Sequence, residues 1–311
     1  MHAIDVKRRM GEEDIGAVAA LLRAAEQADG HAPLGEHKWI DLVEGGRAGF
    51  AGFVARACGS DRLIGYAQLS RGPTSWAVEY VVHPTARGSR RHVAGDLLAA
   101  ALDEVAREGG GHVHLWVPRP GPLDDEIAAE AGLSRGRTLY QMRRRLPLEP
   151  DLGRLERPRV RAFRVGQDER AWLELNARVF SDHPEQGSWS ADTLADRERQ
   201  AWFDPAGFLL HEGEAGLDAF CWTKVHDADP SFGEVYVLGV EPSQHGRGLG
   251  RGVLLAGLDH LEQLGLGLVT LYVDAESVGA VHLYRATGFS VDHADQAYVG
   301  DVAAATRAQV R

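Results

Sequence analysis

The stretch GEVYVLGVEPSQHGRGLGRGVLL, from Gly233 to Leu255, decides the fold. Its first part contains β-branched valines, which favour a strand, and Pro242 ends that strand because proline has no N–H to donate to a sheet. Three glycines follow at alternate positions, and apolar residues then recur at helical spacing from Leu249 onward. The stretch therefore predicts a strand, a glycine-rich turn and a helix.

The glycine-rich turn is suited to binding an anion. Glycines let the backbone approach a ligand closely, and the helix that begins there adds the positive end of its dipole. A phosphate or pyrophosphate is the natural ligand for such a turn. The glycines alone are also compatible with an ordinary glycine-rich turn. The spacing alone also fits a dinucleotide site, because the next predicted strand, Leu268–Val273, is followed by Asp274.

The wider pattern distinguishes between these interpretations. The segment Val240–Gly250 has the form V-x-P-x-x-x-G-R-G-L-G, and Leu283–Phe289 has the form L-Y-x-x-x-G-F. Two motifs in this order, separated by a helix and a strand, resemble the GCN5-related N-acetyltransferase family, although His245 stands where that family usually has Gln or Arg. The resemblance implies an α/β (α+β) fold, in which a mixed, largely antiparallel sheet is flanked by helices. It also implies acetyl-CoA as cosubstrate.

An internal repeat predicts two such domains in tandem. The segment WAVEYVVHP (Trp76–Pro84) aligns with EVYVLGVEP (Glu234–Pro242), and later strands of the two halves also align. A proline-containing segment without periodicity lies between the halves. We therefore expect an N-terminal acetyltransferase-like domain at 1–146, a linker at 147–158 and a C-terminal catalytic domain at 159–311.

The first half has a degenerate phosphate loop. His92 and Ala94 stand where glycines would be, and Ile127-Ala128 replaces the Leu-Tyr pair. This half could serve packing alone, as a wall of the substrate cleft. It could also still hold a nucleotide, with Tyr80, Val81 and Val82 on its cofactor strand and with Arg87, Gly88, Arg90 and Arg91 in its loop.

The resemblance implies a cofactor site in the second half. The family splays the strand before the loop from its neighbour and lays the pantetheine in the gap, which places Leu238, Gly239 and Val240 along it. Gly239 suits the β-bulge that this splay requires. The pyrophosphate would be held by His245, Gly246, Arg247, Gly248, Leu249, Gly250 and Arg251. The opposite side of the cofactor would contact Ser277, Val278, Gly279, Ala280, Val281 and His282.

Acetyl transfer to an amine needs a base, a polarised thioester carbonyl and an acid for the leaving thiolate. Glu234 begins the splayed strand and is the candidate base; the alternative is a surface carboxylate at the end of a strand. Tyr284 and Tyr298 are both candidate acids, because the family most often uses the Tyr of the Leu-Tyr pair and Tyr298 lies on the predicted last strand. Either could instead be a packed aromatic residue.

The chain as a whole resembles the tandem acetyltransferases that form mycothiol. The segment Phe180–Trp189, of the form F-x-x-H-P-E-Q-G-x-W, carries this resemblance together with Gly233–Gly250. It implies acetylation of the cysteinyl amine of a glucosamine–inositol pseudodisaccharide. Candidate acceptor-binding residues are Glu36, Asp182, Lys224, Glu234 and Tyr272. An acetyltransferase for a peptide N-terminus or an aminoglycoside, or a non-catalytic acyl-CoA sensor, is the alternative.

Composition restricts the remaining classes of function. The net charge of −11 argues against nucleic acid and anionic membranes as partners. The two cysteines, Cys58 and Cys221, are too few for a disulfide framework, and the histidines lack the spacing of a metal site. Without an apolar segment of membrane-spanning length or a signal peptide, we expect a cytoplasmic protein, and the tandem halves suggest a monomer.

Overall fold

The computed structural model describes residues 2–44, 48–72, 74–181, 186–226 and 231–305. The chain divides into two compact units. Unit 1 comprises the described residues up to Thr138 together with those from Ala294 onward, and unit 2 comprises the described residues between Leu139 and His293.

Unit 1 is a mixed sheet with helices. Its strand order is β1-β2-β3-β4-β5-β12, with β4 and β5 parallel and the other neighbours antiparallel. The strands are β1 (His2–Lys7), β2 (Ala51–Ala57), β3 (Leu63–Arg71), β4 (Trp76–Val82), β5 (Gly111–Val117) and β12 (Ser290–Val302). The helices are α1 (Glu12–Asp29), α2 (Glu36–Glu44), α3 (Arg90–Arg107) and α4 (Pro122–Glu130).

Unit 2 repeats this arrangement. Its strand order is β6-β11-β10-β9-β8-β7, with β10 and β11 parallel and the other neighbours antiparallel. The strands are β6 (Ser134–Arg145), β7 (Arg161–Ala162), β8 (Phe208–Gly213), β9 (Gly216–His226), β10 (Phe232–Val240) and β11 (Leu268–Asp274). The helices are α5 (Pro150–Gly153), α6 (Glu169–Val179), α7 (Ala191–Glu198), α8 (Leu249–Gln263) and α9 (Val278–Ala286).

The compact units differ from the predicted boundaries 1–146, 147–158 and 159–311. The strand β12 comes from the second half of the sequence, but its residues from Gln296 to Val302 pair with β5 in unit 1. The strand β6 comes from the first half, but its residues from Leu139 to Arg145 pair with β11 in unit 2. A sequence repeat locates a strand without determining which sheet it joins, because strand pairing is a long-range choice.

The predicted linker 147–158 is part of unit 2 rather than a free connection. It contains the short helix α5, and Leu148, Leu152 and Leu155 pack against the core under α8 and α9. The three leucines are partly buried, and the apolar area that each removes from water anchors the segment.

The sheet of unit 2 has a different core on each face. On one face, Val235, Val269 and Leu271 pack with apolar residues of α8 such as Val253. On the other face, an aromatic core lies under α6 and α7; it contains Phe163, Trp172, Phe208, Phe220 and Trp222. Because both faces of β9 and β10 are covered in this way, these strands have a fixed position in the unit.

A close contact between α8 and β9 gives a stability prediction. A Cβ atom at Gly257 would lie 2.5 Å from Cys221 Sγ, whereas one at Gly95 in α3 would meet nothing within 4 Å. We expect Gly257→Ala to lower the free energy of unfolding by about 1–3 kcal/mol through overpacking. Gly95→Ala, the matched helical control, should raise it by roughly 0.5–1 kcal/mol. Urea denaturation measures both values, and equal effects of the two substitutions would contradict the packing argument.

Candidate active site

A β-bulge lies at Tyr236 in β10. Val235 is opposite Thr223 on β9 and Val237 is opposite Trp222, so Tyr236 is the extra residue. The bulge reverses the alternation of the strand, since Val235 packs into the α8 core and Val237 into the aromatic core.

The predicted bulge at Gly239 is wrong. Gly239 pairs regularly with Phe220, and a Cβ atom at this position would lie 2.4 Å from the Phe220 ring. The glycine is needed because an aromatic ring on the neighbouring strand occupies the space of a side chain. The reason for this glycine therefore lies on β9, outside its own local sequence.

The splay predicted between the two central strands is present in unit 2. The parallel pairing of β10 with β11 covers only Gly233–Val235, although β10 continues to Val240 and β11 to Asp274. Leu238, Gly239 and Val240 therefore lie beyond the paired region, where the backbone of β10 has no partner on β11. An opening of this kind fits an extended pantetheine chain.

The glycine-rich turn follows this opening directly. The His245 Nε2 atom lies 3.0 Å from the Val240 carbonyl oxygen, which fixes the start of the turn. Gly246 and Gly248 have φ values of 76° and 82°, and Gly248 is the N-cap of α8. Positive φ angles suit glycine, and here they turn the backbone into the N-terminus of a helix. The remaining predicted loop residues are the exposed Arg247 and Arg251 and the half-buried Leu249 and Gly250.

The start of α9 supplies a second surface. Val278 is 75% exposed, and Ser277, Gly279 and His282 are exposed as well. Ala280 is half-buried, and Val281 is buried in the α8 core. Most of the predicted contacts on this helix are therefore accessible, whereas the Val281 side chain belongs to the packing of the unit.

Three predicted acceptor residues share one face of the unit 2 sheet. Glu234 is opposite Lys224 on β9 and level with Thr270 on β11, and Tyr272 lies two residues beyond Thr270. This is the face that carries the aromatic core, because Trp222 lies two residues before Lys224 on β9. We call Lys224, Glu234 and Tyr272 the acceptor face.

The Glu234 carboxylate is nearly buried. Its residue is 8% exposed, and its Oε2 atom lies 2.5 Å from His226 Nε2. Within the part of the chain that the structure describes, its other oxygen, Oε1, accepts no hydrogen bond. One carboxylate oxygen is therefore held and the other is available to an incoming group.

The other two members of the acceptor face have aromatic or polar neighbours. The Lys224 ammonium lies 4.5 Å from the ring centre of Trp202 and 5.6 Å from that of Tyr236. The Tyr272 side chain is 45% exposed, and its hydroxyl accepts a hydrogen bond of 2.7 Å from Gln141 Nε2. Aromatic rings at these distances attract the ammonium through cation–π interaction.

The other two predicted acceptor residues stay predictions. Asp182 lies outside the described residues. Glu36 is the first residue of α2 in unit 1, and the described atoms do not include its side chain.

Sequence reasoning missed two polar residues beside the acceptor face. His226 lies two residues after Lys224, so strand alternation could have placed it on the same face. Gln141 lies on β6, and its Cα is opposite that of Tyr272. Its position had no local signal, because β6 belongs to the first half of the sequence.

The two candidate tyrosines lie in different units. Tyr284 is buried in unit 2, where its ring packs edge-on against Phe289 at 5.9 Å. Among the described residues, its hydroxyl has no hydrogen-bond partner. Burial raises the pKa of Tyr284, so the phenol keeps its proton at neutral pH.

Tyr298 lies in the core of unit 1 and is 1% exposed. Its hydroxyl donates a hydrogen bond of 2.8 Å to the Asp125 carboxylate. Burial, with this carboxylate next in effect, raises the pKa of Tyr298. The structure therefore places Tyr298 outside the unit that contains Glu234.

Unit 1 contains a similar opening. The pairing of β4 with β5 covers only Trp76–Glu79, and Tyr80, Val81 and Val82 beyond it line a cavity of about 280 Å³. Two predicted nucleotide contacts, Arg87 and Arg90, also line the cavity.

The arginines of this unit 1 loop have internal partners. Arg87 pairs with Asp29 at 2.5 Å and Arg90 with Asp124 at 2.6 Å. Arg91 pairs with Glu126 and Glu130. A phosphate bound here would have to compete with these carboxylates.

Comparison with known proteins identifies the family. Residues 170–289 match the acetyltransferase (GNAT) family. A mycothiol acetyltransferase of Thermobispora bispora is 46% identical over 92% of this chain and 95% of its own length. One of Acidimicrobium ferrooxidans is 39% identical over 98% of this chain and its entire length.

The chain belongs to the mycothiol acetyltransferase family. It is thus an acetyl-CoA-dependent N-acetyltransferase with a GNAT fold. The tandem fold predicted from the repeat is confirmed by solved structures. A GCN5-related N-acetyltransferase from Sphaerobacter thermophilus matches 97% of both chains with a TM-score of 0.71 and 23% identity. A tandem GNAT protein of clavulanic acid biosynthesis matches 98% of this chain and 100% of its own with a TM-score of 0.69 and 15% identity.

Membership of the mycothiol acetyltransferase family agrees with the two features of unit 2 described above, the splayed central strands and the glycine-rich turn. Across the described ranges, no helix combines the length and apolarity needed to cross a membrane. The same ranges contain no group of three or more His, Cys, Asp or Glu side chains arranged to hold a metal ion.

The two ends of α8 offer a matched test of the glycine-rich turn. Gly248 and Gly265 have φ values of 82° and 80°, and a Cβ atom at either would meet nothing within 4 Å. Alanine therefore introduces the same backbone strain at both ends, about 1 kcal/mol. We expect Gly248→Ala to weaken acetyl-CoA binding about tenfold in calorimetric titration, and Gly265→Ala to leave it unchanged. Equal affinities of the two variants would remove the turn from the cofactor site.

Proposed function

We propose that this protein transfers the acetyl group of acetyl-CoA to the cysteinyl amine of cysteinyl-glucosaminyl-inositol, which gives mycothiol. The observation that carries the proposal is the Glu234 carboxylate. It is nearly buried, it lies near the start of β10, the strand that splays from β11, and its Oε1 atom accepts no hydrogen bond from the described residues. The names of the relatives supply the product class.

Glu234 acts as the base in this proposal. A substrate ammonium cannot attack a thioester, because its nitrogen has no free electron pair. Oε1 of Glu234 accepts one proton from the ammonium, directly or through a water molecule, and leaves a neutral amine. The position of Glu234 supports this role, because the pairing of β10 with β11 ends one residue later, at Val235, and the opening assigned to the pantetheine lies beyond it.

Backbone groups of β10 polarise the thioester. Beyond Val235 the strand has no partner on β11, so N–H groups between Leu238 and Val240 are available to the thioester oxygen. Donors fixed in a folded strand need no reorganisation during the reaction, which makes them effective at stabilising developing negative charge.

Tyr284 supplies the proton for the leaving thiolate. It lies in unit 2, its hydroxyl lacks a partner among the described residues, and its pKa is raised by burial. A phenol that keeps its proton at neutral pH can act as an acid toward a thiolate. We propose Tyr284 rather than Tyr298, because the Tyr298 hydroxyl is already bonded to Asp125 in unit 1.

The cofactor is held by the turn and by the start of α9. Backbone N–H groups from His245 to Arg251 bind the pyrophosphate, and Arg247 and Arg251 add positive charge. The exposed surface from Ser277 to His282, apart from the buried Val281 side chain, contacts the opposite side. In unit 2, acetyl-CoA then supplies the acetyl group as an activated thioester.

The acceptor face recognises the sugar and inositol hydroxyls. Tyr272 is exposed and hydrogen-bonded to Gln141, and Lys224 lies among aromatic rings that a sugar could cover. Glu36 and Asp182 remain proposed contacts on the basis of sequence alone.

Unit 1 keeps the shape of a cofactor cleft without the transfer chemistry. Trp76 stands at the repeat position of Glu234; it is 2% exposed, and its indole N–H donates to the Gly110 carbonyl. Ile127-Ala128 stands in the place of Leu283-Tyr284. Unit 1 thus lacks both the proposed base and the proposed acid, and the cavity beside Tyr80, Val81 and Val82 is proposed for binding only.

The decisive assay uses cysteinyl-glucosaminyl-inositol and acetyl-CoA, with omission of the amine as the blank. Because both CoA and the acceptor carry thiols, the product is identified by the mass gain of one acetyl group. We expect Glu234→Gln to lower kcat about 100-fold or more, in the range of general-base catalysis, with acetyl-CoA affinity unchanged. Glu241→Gln, which removes a carboxylate paired with Arg178 just after β10, is the control.

Two outcomes of this assay would contradict the proposal. Acetylation of a peptide N-terminus or an aminoglycoside with higher kcat/KM would assign a different acceptor. Full activity of Glu234→Gln would remove Glu234 from the mechanism while leaving the assignment to the family intact.

The two tyrosines are expected to respond in opposite ways to loss of the hydroxyl. Tyr284→Phe should lower kcat about 10- to 100-fold with little change in stability, because its hydroxyl has no partner to lose. Tyr298→Phe should leave kcat within about threefold and lower the free energy of unfolding by about 1 kcal/mol through loss of the bond to Asp125. Steady-state kinetics and urea denaturation distinguish them, and a reversed pattern would assign the acid to Tyr298.

A further inference from the structure

His226 is fixed on two sides at the end of β9. Its ring stacks on Phe232 with centroids 4.4 Å apart and planes inclined by 10°. Its Nε2 atom lies 2.5 Å from Glu234 Oε2. The Cα atoms of His226 and Phe232 are partners across the two strands, as are those of Lys224 and Glu234, so the contact to Glu234 is diagonal.

The direction of the hydrogen bond follows from the chemistry of the two groups. An ionised carboxylate has only acceptor atoms, so the hydrogen must be on Nε2 of the imidazole. Such a bond to a charged acceptor is short and strong. The neutral imidazole with hydrogen on Nε2 is sufficient to form it.

We propose that His226 is the positioning residue for the base Glu234. It binds Oε2 and thereby directs Oε1 toward the acceptor amine. The inference rests on the proposed function, in which Glu234 is the base. A glutamate has three rotatable side-chain bonds, and fixing one oxygen removes most of that freedom before the substrate arrives.

The stacked Phe232 ring completes this arrangement. The imidazole is itself only partly buried, with 29% of its side chain exposed, so burial alone does not fix its orientation. Parallel contact with Phe232 keeps the ring plane in place, and the hydrogen bond then holds the carboxylate at a set angle. The proton transfer itself remains between the ammonium and Oε1 of Glu234.

The test compares a variant that loses the donor with one that keeps it. His226→Leu removes the N–H, whereas His226→Gln places an amide N–H at a similar distance from the backbone. His226→Asn, whose amide is one bond shorter, is a second, polar loss variant in case leucine disturbs folding. His211→Leu is the control, because His211 is also a partly exposed histidine on a unit 2 strand, held by the Arg159 carbonyl at 2.8 Å.

We expect His226→Leu and His226→Asn to lower kcat about 10- to 100-fold, since misplacement of a catalytic group by about 1 Å has effects of this size. KM for the amine should stay within about threefold, and the acetyl-CoA dissociation constant should be unchanged. His226→Gln should recover kcat to within about fivefold of the native enzyme. His211→Leu should retain native kcat.

A double-variant cycle separates positioning from a merely structural role. If His226 acts only through Glu234, adding His226→Leu to Glu234→Gln should lower kcat no further. A full additional loss in that background, or native kcat in both loss variants, would overturn the proposal. If Glu234→Gln itself keeps native kcat, the proposed base is wrong, and that outcome is distinct from a failure of His226 alone.

Discussion

One extra residue in β10, Tyr236, sets the geometry on which the site depends. The bulge follows directly after the last residue of β10 paired with β11, and it exchanges the two faces of the strand beyond that point. Glu234, just before the bulge, keeps its side chain on the acceptor face. Beyond the bulge, the side chains of Leu238 and Val240 pack toward the α8 core. The strand thus has the proposed catalytic carboxylate before the bulge, and beyond the bulge it has backbone that is not paired with β11.

The two units share features of the fold, but they differ in the residues proposed for the chemistry. Both sheets contain a parallel pair that ends early, and both leave an opening beyond it. In unit 1 the start of the strand is occupied by the buried Trp76, and the arginines beside the opening are paired with carboxylates. A Gly-rich turn and a carboxylate therefore distinguish a site proposed to be catalytic from one that has only the shape.

Much of this was predictable where the cause is local. The strand, turn and helix from Gly233 to Leu255 follow from valines, a proline and glycines in one continuous segment. The position of the bulge was not predictable from the glycine in β10. Gly239 is required by the ring of Phe220 on another strand, and the bulge lies at Tyr236. Which strands belong to which compact unit was also not predictable, since nothing within the sequence of β12 indicates that it pairs with β5. The position of Gln141 was not predictable for the same reason, whereas strand alternation would have been sufficient to predict His226 beside Lys224.

The placement of β12 has a consequence for synthesis on the ribosome. Tyr298 and its hydrogen-bond partner Asp125 are 173 residues apart, and β5 gains its second neighbour only through β12. At roughly 5–20 residues per second, translation leaves the edge of β5 without that neighbour for on the order of ten to thirty seconds. An unpaired edge can capture strands of other nascent chains. Unit 1 therefore completes its sheet last, although most of it is translated first.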